Sequence, residues 1–340
     1  MLESRAPIVK GISAVTPNQI VKNDDFHDIF PKSKIEKFEA MSGIKSRFVC
    51  EKNEFASDLM KKAIVDVANN VGWELAEVDA LIVVSQSPEF RFPATACVLQ
   101  DQLGLSKDTI AFDINLGCSG YIYGLKVIES MLSEHQKGIL VVGDHSTKLV
   151  NPQDPSTAML FGDCAAATAV QKSANHEGGF YKFGTDGSGK DHLSLKDAME
   201  YRNEPQRTKG LFMDGSEIFK FTITSVRKHL KDILENNLLS EKPDFYVFHQ
   251  ANKFLLDHLA KKLMIPSDMV PICIDRFGNT SSASIPLTIS SELGNSIRSR
   301  KNLLISGFGV GYSWGSHLLS LDPNVSLRAI KSNGEIHASN

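Results

Sequence analysis

The chain has 340 residues, 42% of them hydrophobic and 23% charged. That is the balance of a soluble globular protein with a sizeable core and length for about two domains. Forty acidic residues against 37 basic ones leave a net charge of −3, which excludes the basic excess of a dedicated nucleic-acid binder. No apolar run reaches the roughly 18 residues of a membrane helix, and the start Met-Leu-Glu-Ser-Arg-Ala-Pro lacks an apolar signal core. A cytoplasmic protein without membrane insertion is expected.

In chain order, Leu59, Ile64, Val67 and Val71 recur at helical spacing, and Leu81-Ile82-Val83-Val84 reads as a strand buried on both faces. The strand Ala111–Ile114 leads into Gly117-Cys118-Ser119-Gly120 and a helix marked by Tyr121, Leu125, Ile128 and Leu132. Another strand follows at Gly138–Val142. After a polar, Gly-rich stretch from Ser173 to Gly189, the pattern returns. It has a helix at Val226, Leu230, Ile233 and Leu234, a strand at Phe245–Phe248, a helix at Leu255, Leu259 and Leu263, and a strand at Leu303–Ile305. Alternating strands and helices predict an α/β fold. A faint repeat suggests duplication. Each half has a strand with a polar end, Ser85-Gln86-Ser87 or His249-Gln250-Ala251-Asn252. About thirty residues later comes a small-residue loop opening a helix, Gly117–Gly120 or Gly278–Ser281. The expected organisation is a first half over 1–173, a second over 174–321 and a loose polar tail over 322–340.

Five scattered cysteines, none in CxxC spacing, support neither a disulfide framework nor a zinc site. Cys118 stands out, because a thiol at a helix N-terminus feels the positive end of the macrodipole, which favours the thiolate. The competing reading is a buried cysteine acting as a small hydrophobe. His249 ends a strand, where side chains often face a ligand crevice, or it is a satisfied core residue. The other nine histidines lie mostly in charged or loop contexts, and exposure is expected. Asn279 either forms a Gly-Asn turn or belongs to a small-residue run that lets backbone approach something closely. Ser306-Gly307-Phe308-Gly309-Val310-Gly311 either cradles an oxyanion with backbone N–H groups or makes a tight turn. No Rossmann or Walker pattern is present. Cys118 and His249 are 131 residues apart in the order Cys-His-Asn, a spacing also found in papain-like proteases. The papain surround is absent, and a cysteine hydrolase stands as the alternative from a different class.

Taken together, the segments from about Val9 to Leu319 resemble the β-ketoacyl-acyl-carrier-protein synthase III family of the thiolase superfamily. The resemblance is carried by Phe112-Asp113-Ile114…Cys118-Ser119-Gly120, Leu160-Phe161-Gly162-Asp163, Met213-Asp214-Gly215…Ile218-Phe219-Lys220, His249-Gln250-Ala251-Asn252, Gly278-Asn279-Thr280-Ser281 and Gly307-Phe308-Gly309…Trp314-Gly315. It implies a five-layered αβαβα fold of two duplicated halves, a homodimer, and no metal or redox cofactor. By the same resemblance, Cys118 takes an acyl group as a thioester. His249 and Asn279 hydrogen-bond the thioester oxygen of malonyl-carrier protein, and backbone N–H groups of Cys118 and Val310 form the oxyanion hole. Phe92 reaches into the partner's acyl pocket, and Lys220, Lys261 and Lys262 dock an acidic acyl carrier protein. The implied reaction is decarboxylative Claisen condensation to a 3-oxoacyl-carrier protein, in fatty-acid or related biosynthesis. Departures cluster where the family grips coenzyme A. Lys37, Met41, Pro155 and Phe254 occupy positions of an adenine-stacking Trp and of arginines. The donor is therefore an acyl-CoA or an acyl-carrier protein, and a secondary-pathway enzyme with a non-CoA donor is the alternative within the family.

Overall fold

A computed structural model describes residues 8–133, 136–172, 179–196, 210–236, 238–294 and 296–337. The first half runs β1 (Ile8–Thr16), β2 (Gln19–Lys22), α1 (Lys32–Ser42), β3 (Ser46–Val49), α2 (Ala56–Val71), β4 (Ala80–Val84), α3 (Thr95–Gln102), β5 (Ile110–Ile114), α4 (Gly120–Met131), β6 (Lys137–Asp144), α5 (Pro155–Ala158) and β7 (Cys164–Gln171). The second runs β8 (Tyr181–Thr185), β9 (Leu193–Ser194), β10 (Phe212–Met213), α6 (Gly215–Phe221), α7 (Arg227–Glu235), β11 (Phe245–Phe248), α8 (Lys253–Lys262), α9 (Ile274–Phe277), α10 (Ser284–Glu292), β12 (Lys301–Gly309) and β13 (Ser313–Leu321). A last strand, β14 (Ser326–Lys331), crosses back to the first half.

Six strands form one sheet in the order β14-β1-β7-β6-β4-β5, and four form another in the order β11-β12-β13-β8. The pairing senses repeat. β4 is parallel to β6, β6 antiparallel to β7, and β7 antiparallel to β1. Likewise β11 is parallel to β12, β12 antiparallel to β13, and β13 antiparallel to β8. The duplication faintly visible in the sequence is thus explicit in the topology. Helix α2 packs its apolar stripe, including Leu59, Ile64 and Val67, on the outer face of the large sheet. Helices α7 and α8 cover the outer face of the small sheet through Leu230, Ile233, Leu255 and Leu259. Between the sheets lie α4 and α10, whose Tyr121, Leu125, Ile285 and Ile289 pack with residues of both. The order is helix, sheet, helix, sheet, helix: five layers.

Position in these layers explains the local sequences. β4 is buried throughout and β6 from Gly138 on, so their apolar runs are continuous rather than alternating. In α10 every residue from Ser284 to Ser291 is buried. Two of its hydroxyls return to the helix backbone, Thr288 Oγ1 donating to the Ser284 carbonyl at 2.7 Å and Ser290 Oγ to that of Pro286 at 2.8 Å. Such back-bonding lets a polar sequence occupy a central layer.

Two expectations are corrected. The tail is not loose over its length: β14 pairs in parallel with β1 from Gly11–Ser326 to Thr16–Lys331, and His337 packs edge-on against Phe48 and Phe277 at 5.0 and 5.1 Å. A six-residue strand at a sheet edge carries too short an apolar pattern to announce itself. Nor are the remaining histidines mostly exposed. His145, His229 and His317 are buried, with His317 Nδ1 at 2.9 Å from the Phe180 carbonyl and His229 Nε2 at 3.0 Å from Ser316 Oγ. Of the polar stretch between the halves, residues 173–178 lie outside the described residues, and so does the proposed boundary at 173/174. Among the described residues, no helix is long and apolar enough to cross a membrane.

Candidate active site

The carboxyl ends of β4, β5, β6, β11 and β12 converge beside the central helices. Cys118 lies in the turn between β5 and α4 and is 7% exposed. Its sulfur is within reach of three donors: its own N–H, the Val310 N–H and the Ser281 hydroxyl. The close approach of β12 depends on glycine. A Cβ at Gly309 would stand 2.9 Å from Cys118 Sγ, and one at Gly307 would stand 2.6 Å from the Cys118 carbonyl oxygen. Ser313 ties the parts together, donating from Oγ to the Val310 carbonyl at 2.8 Å and lying 2.7 Å from Ser119 Oγ. Burial, reinforced by Asp144, pushes the Cys118 thiol up to about 12. The expected thiolate is therefore not the resting form, because loss of hydration outweighs the nearby helix terminus and the three donors.

His249 immediately follows β11 and is 2% exposed, with Nδ1 2.7 Å from Ser284 Oγ and its ring edge-on to Phe308. Burial lowers its pKa to about 3, against a contact with the Ser281 carbonyl that works the other way, so the imidazole is neutral. Asn279 is held by its backbone against β7's approach, its N–H donating to the Leu160 carbonyl and its carbonyl accepting from the Gly162 N–H. Its Oδ1 accepts from the Ser281 N–H at 2.9 Å, which leaves the Nδ2 amide as the donor available to a ligand. Ser281 thus touches Cys118, His249 and Asn279 at once. It does so with φ of +52°, a left-handed conformation that costs an L-residue roughly 1–2 kcal/mol. Sequence reasoning quoted Ser281 only as one of a run of small residues.

The three residues separated by up to 161 positions in the chain line one cavity of about 610 Å³, whose walls include Phe38, Leu160, Met213, Phe219, Leu255 and Phe308. Among the described residues no lysine or arginine lines it. Cys118 also belongs to a second chamber of about 210 Å³, which contains Val310, Gln86, Asn115 and the carboxyl of Asp144. Asp144 ends β6 and is buried. Its Oδ1 accepts from the Gln86 N–H at 2.7 Å, Ser87 Oγ at 3.0 Å and Ser85 Oγ at 3.1 Å, while Oδ2 faces Ser282 Oγ at 3.4 Å. Burial raises its pKa above the usual carboxylate value, opposed by these donors and by the Ser281 hydroxyl.

A nucleophile, two neutral donors and two converging N–H groups at the inner end of an apolar channel form an apparatus for acyl transfer. Comparison with known proteins agrees. Residues 112–187 match the family described as 3-Oxoacyl-[acyl-carrier-protein (ACP)] synthase III, and residues 233–321 match its C-terminal region. Over 313 residues the chain is 36% identical to the beta-ketoacyl-[acyl-carrier-protein] synthase III of Staphylococcus saprophyticus, covering 91% of this chain and 96% of that one. The chain belongs to the synthase III family. It is likewise 34% identical over 322 residues to the synthase III of Coxiella burnetii, covering 92% and 98% of the two chains. The crystal structure of a 3-oxoacyl-(acyl-carrier protein) synthase from Burkholderia xenovorans superposes with a TM-score of 0.89 at 36% identity, over 96% and 97% of the chains. Like its relatives, this synthase III chain is an enzyme with the repeated αβ layers of the thiolase-like architecture.

The other residues singled out in the sequence of this synthase III protein lie outside the catalytic cluster. Phe92 is 85% exposed and lines neither chamber of its own chain. Lys220 is exposed, 3.5 Å from Glu217 on the same helix, and Lys261 and Lys262 are exposed in the last turn of α8. Helices α6 and α8, which carry these lysines, also supply Phe219 and Phe254 to the channel, where the two rings stack at 5.8 Å. Met41, Phe254 and Ser156, the last beside Pro155, line the channel, whereas Lys37 does not.

Proposed function

We propose that the protein catalyses decarboxylative Claisen condensation of an acyl thioester with malonyl-acyl-carrier protein, giving a 3-oxoacyl-carrier protein for fatty-acid or related acyl-product biosynthesis. The observation that carries this reading is the meeting of Cys118, His249 and Asn279 at one apolar channel, with the N–H groups of Cys118 and Val310 directed at the sulfur. In the first half-reaction Cys118 Sγ attacks the donor's carbonyl. A carbon–sulfur bond forms at Cys118, the donor's breaks, and the thiol proton leaves with the released thiol. In the second, the malonyl C–C bond breaks to release CO₂. The enolate oxygen left behind accepts hydrogen bonds from Asn279 Nδ2 and from His249, whose proton is placed on Nε2 when Ser284 donates to Nδ1. Fixed donors at a point of developing negative charge are the strongest single aid to such a step. The enolate carbon then bonds to the acyl carbonyl, and Cys118 departs as thiolate and recovers a proton. The oxyanion formed in both attacks sits at the two N–H groups.

A papain-like hydrolase would need a thiolate–imidazolium pair. Here burial raises the thiol and lowers the imidazole, which favours two neutral partners and opposes that alternative. The donor, in our reading, is an acyl-carrier protein. Among the described residues the channel lining offers no lysine or arginine to the phosphates of coenzyme A, whereas Lys220, Lys261 and Lys262 stand on the two helices that supply Phe219 and Phe254 to it and complement an acidic carrier. A cytoplasmic homodimer completes the assignment. Strand β5 has β4 on one side and no partner on the other among the described residues. An open edge beside the exposed Phe90, Phe92 and Ile110 fits pairing with a second copy, with Phe92 reaching the partner's acyl chamber. The test is intact-mass spectrometry after incubation with matched acyl-CoA and acyl-carrier donors. The wild type gains one acyl group, faster from the carrier, and Cys118→Ala gains none. An adduct on that variant refutes the nucleophile, and equal or faster transfer from coenzyme A refutes the carrier donor.

A further inference from the structure

The two chambers that share Cys118 differ in chemistry. The larger is apolar, as a channel for a pantetheine arm should be. The smaller combines Leu149, Leu211 and Val310 with the amides of Gln86 and Asn115 and the buried carboxyl of Asp144. With the smaller chamber taken as the one that receives the acyl group of Cys118, we propose that Asp144 selects short acyl chains bearing a hydrogen-bond donor, a hydroxyl or an amino group. The inference rests on the condensing-enzyme reading and adds to it the class of acyl group.

The argument starts from satisfaction of the carboxyl. An ionised carboxylate has about four acceptor positions. Oδ1 of Asp144 takes three donors at 2.7–3.1 Å, but Oδ2 has only the long 3.4 Å contact from Ser282 and a share of the Ser281 hydroxyl. That hydroxyl has a single hydrogen and faces the Cys118 sulfur as well. Oδ2 therefore keeps acceptor capacity, on a residue that lines the chamber. An alkyl chain pressed against it would strip its hydration and return nothing, a costly arrangement for a buried polar oxygen. A hydroxyl or amino group would supply the missing donor, while Leu149, Leu211 and Val310 cover the carbon chain. Size points the same way: the chamber has about a third of the channel's volume, 210 against 610 Å³, which suits a short chain.

Acylation of the purified full-length protein by simple thioesters of N-acetylcysteamine tests this without involving either carrier protein or coenzyme A. In each transfer the Cys118–acyl bond forms, the N-acetylcysteamine–acyl bond breaks, and the thiol proton leaves with N-acetylcysteamine. Butyryl, 3-hydroxybutyryl, 3-aminobutyryl and octanoyl thioesters are compared by intact mass. The 3-hydroxy or the 3-amino chain should acylate Cys118 at least about tenfold faster than butyryl, and whichever leads identifies the donor group. In Asp144→Asn that ratio should fall towards one. Butyryl or octanoyl transfer as fast as either substituted chain in the wild type overturns the selection, a result that needs no variant to fold. An undiminished ratio in a folded Asp144→Asn overturns the role of Asp144. If no thioester acylates Cys118, the condensing-enzyme reading itself falls, a result distinct from acylation without preference.

Discussion

Cys118 is kept protonated until it is needed. In the proposed reaction a thiol whose pKa stands near 12 loses its proton only as the attack proceeds, and the two N–H groups beside it then stabilise the oxyanion of the intermediate. His249, lowered to about 3, is neutral near pH 7, and the proposed mechanism uses it as a donor rather than a base. It follows that His249→Ala and Asn279→Ala should still accept an acyl group on Cys118, yet release CO₂ from malonyl-carrier protein on the order of 10²–10³ times more slowly. Counting acyl-enzyme by mass and CO₂ by trapping separates the two steps, and wild-type decarboxylation in both variants would contradict the assigned roles. Cys118, His249 and Asn279 were legible in the sequence because each sits in a short run of small or polar residues next to a strand or helix. Ser281, Ser284 and Asp144 were not, since their importance lies in what they touch across the fold. A serine among serines carries no mark of a positive φ, and an aspartate after Val-Val-Gly carries none of a buried carboxyl.

At the scale of elements, the site depends on how closely β12 passes the turn before α4. Gly309→Ala would put a methyl 2.9 Å from Sγ and 2.8 Å from Cβ of Cys118. The thiol must shift or the strand must bow, at roughly 1–3 kcal/mol for overpacking. Acylation should slow sharply while the far-ultraviolet spectrum stays native. Gly187→Ala is the control, because nothing lies within 4 Å of its added Cβ; a variant pair with equal acylation rates would show that the close approach is dispensable. The glycines of Ser306–Gly311 were open in the sequence between a tight turn and an anion cradle. Gly307 and Gly309 lie in β12 and Gly311 beyond its end, and the proposed cradle takes its second N–H from Val310, between Gly309 and Gly311. Elements with long apolar patterns, α2, α4, β4 and β6, were readable from periodicity alone. Strand β14 was not, because an edge strand of six residues shares its burial with only one neighbour.

For the whole molecule, buried histidines set the response to acid. His145, His229, His249, His317 and His337 all have pKa values pulled below 6.5 by burial, to about 3 for His249 and about 4 for the others. Unfolding restores ordinary values and so binds protons. The stability these groups contribute is complete above pH 6.5 and is lost as pH falls towards 4. Asp163, raised to about 6, and Asp144, also raised by burial, work in the opposite sense, two groups against five. The melting temperature should therefore drop steeply between pH 6.5 and 4, and a flat profile over that interval would count against the buried rings. The shared middle layer has a last consequence, for the order in which the protein comes apart. Cys164 of the first half and Cys273 of the second lie together in the cluster built by α4 and α10 between the sheets. Neither half has a surface of its own to keep there once the other leaves. The two thiols are built-in reporters of the joint: a thiol reagent should reach both at the same denaturant concentration, the one at which acyl transfer by Cys118 disappears. Labelling of one well before the other would mean that half an enzyme can stand alone.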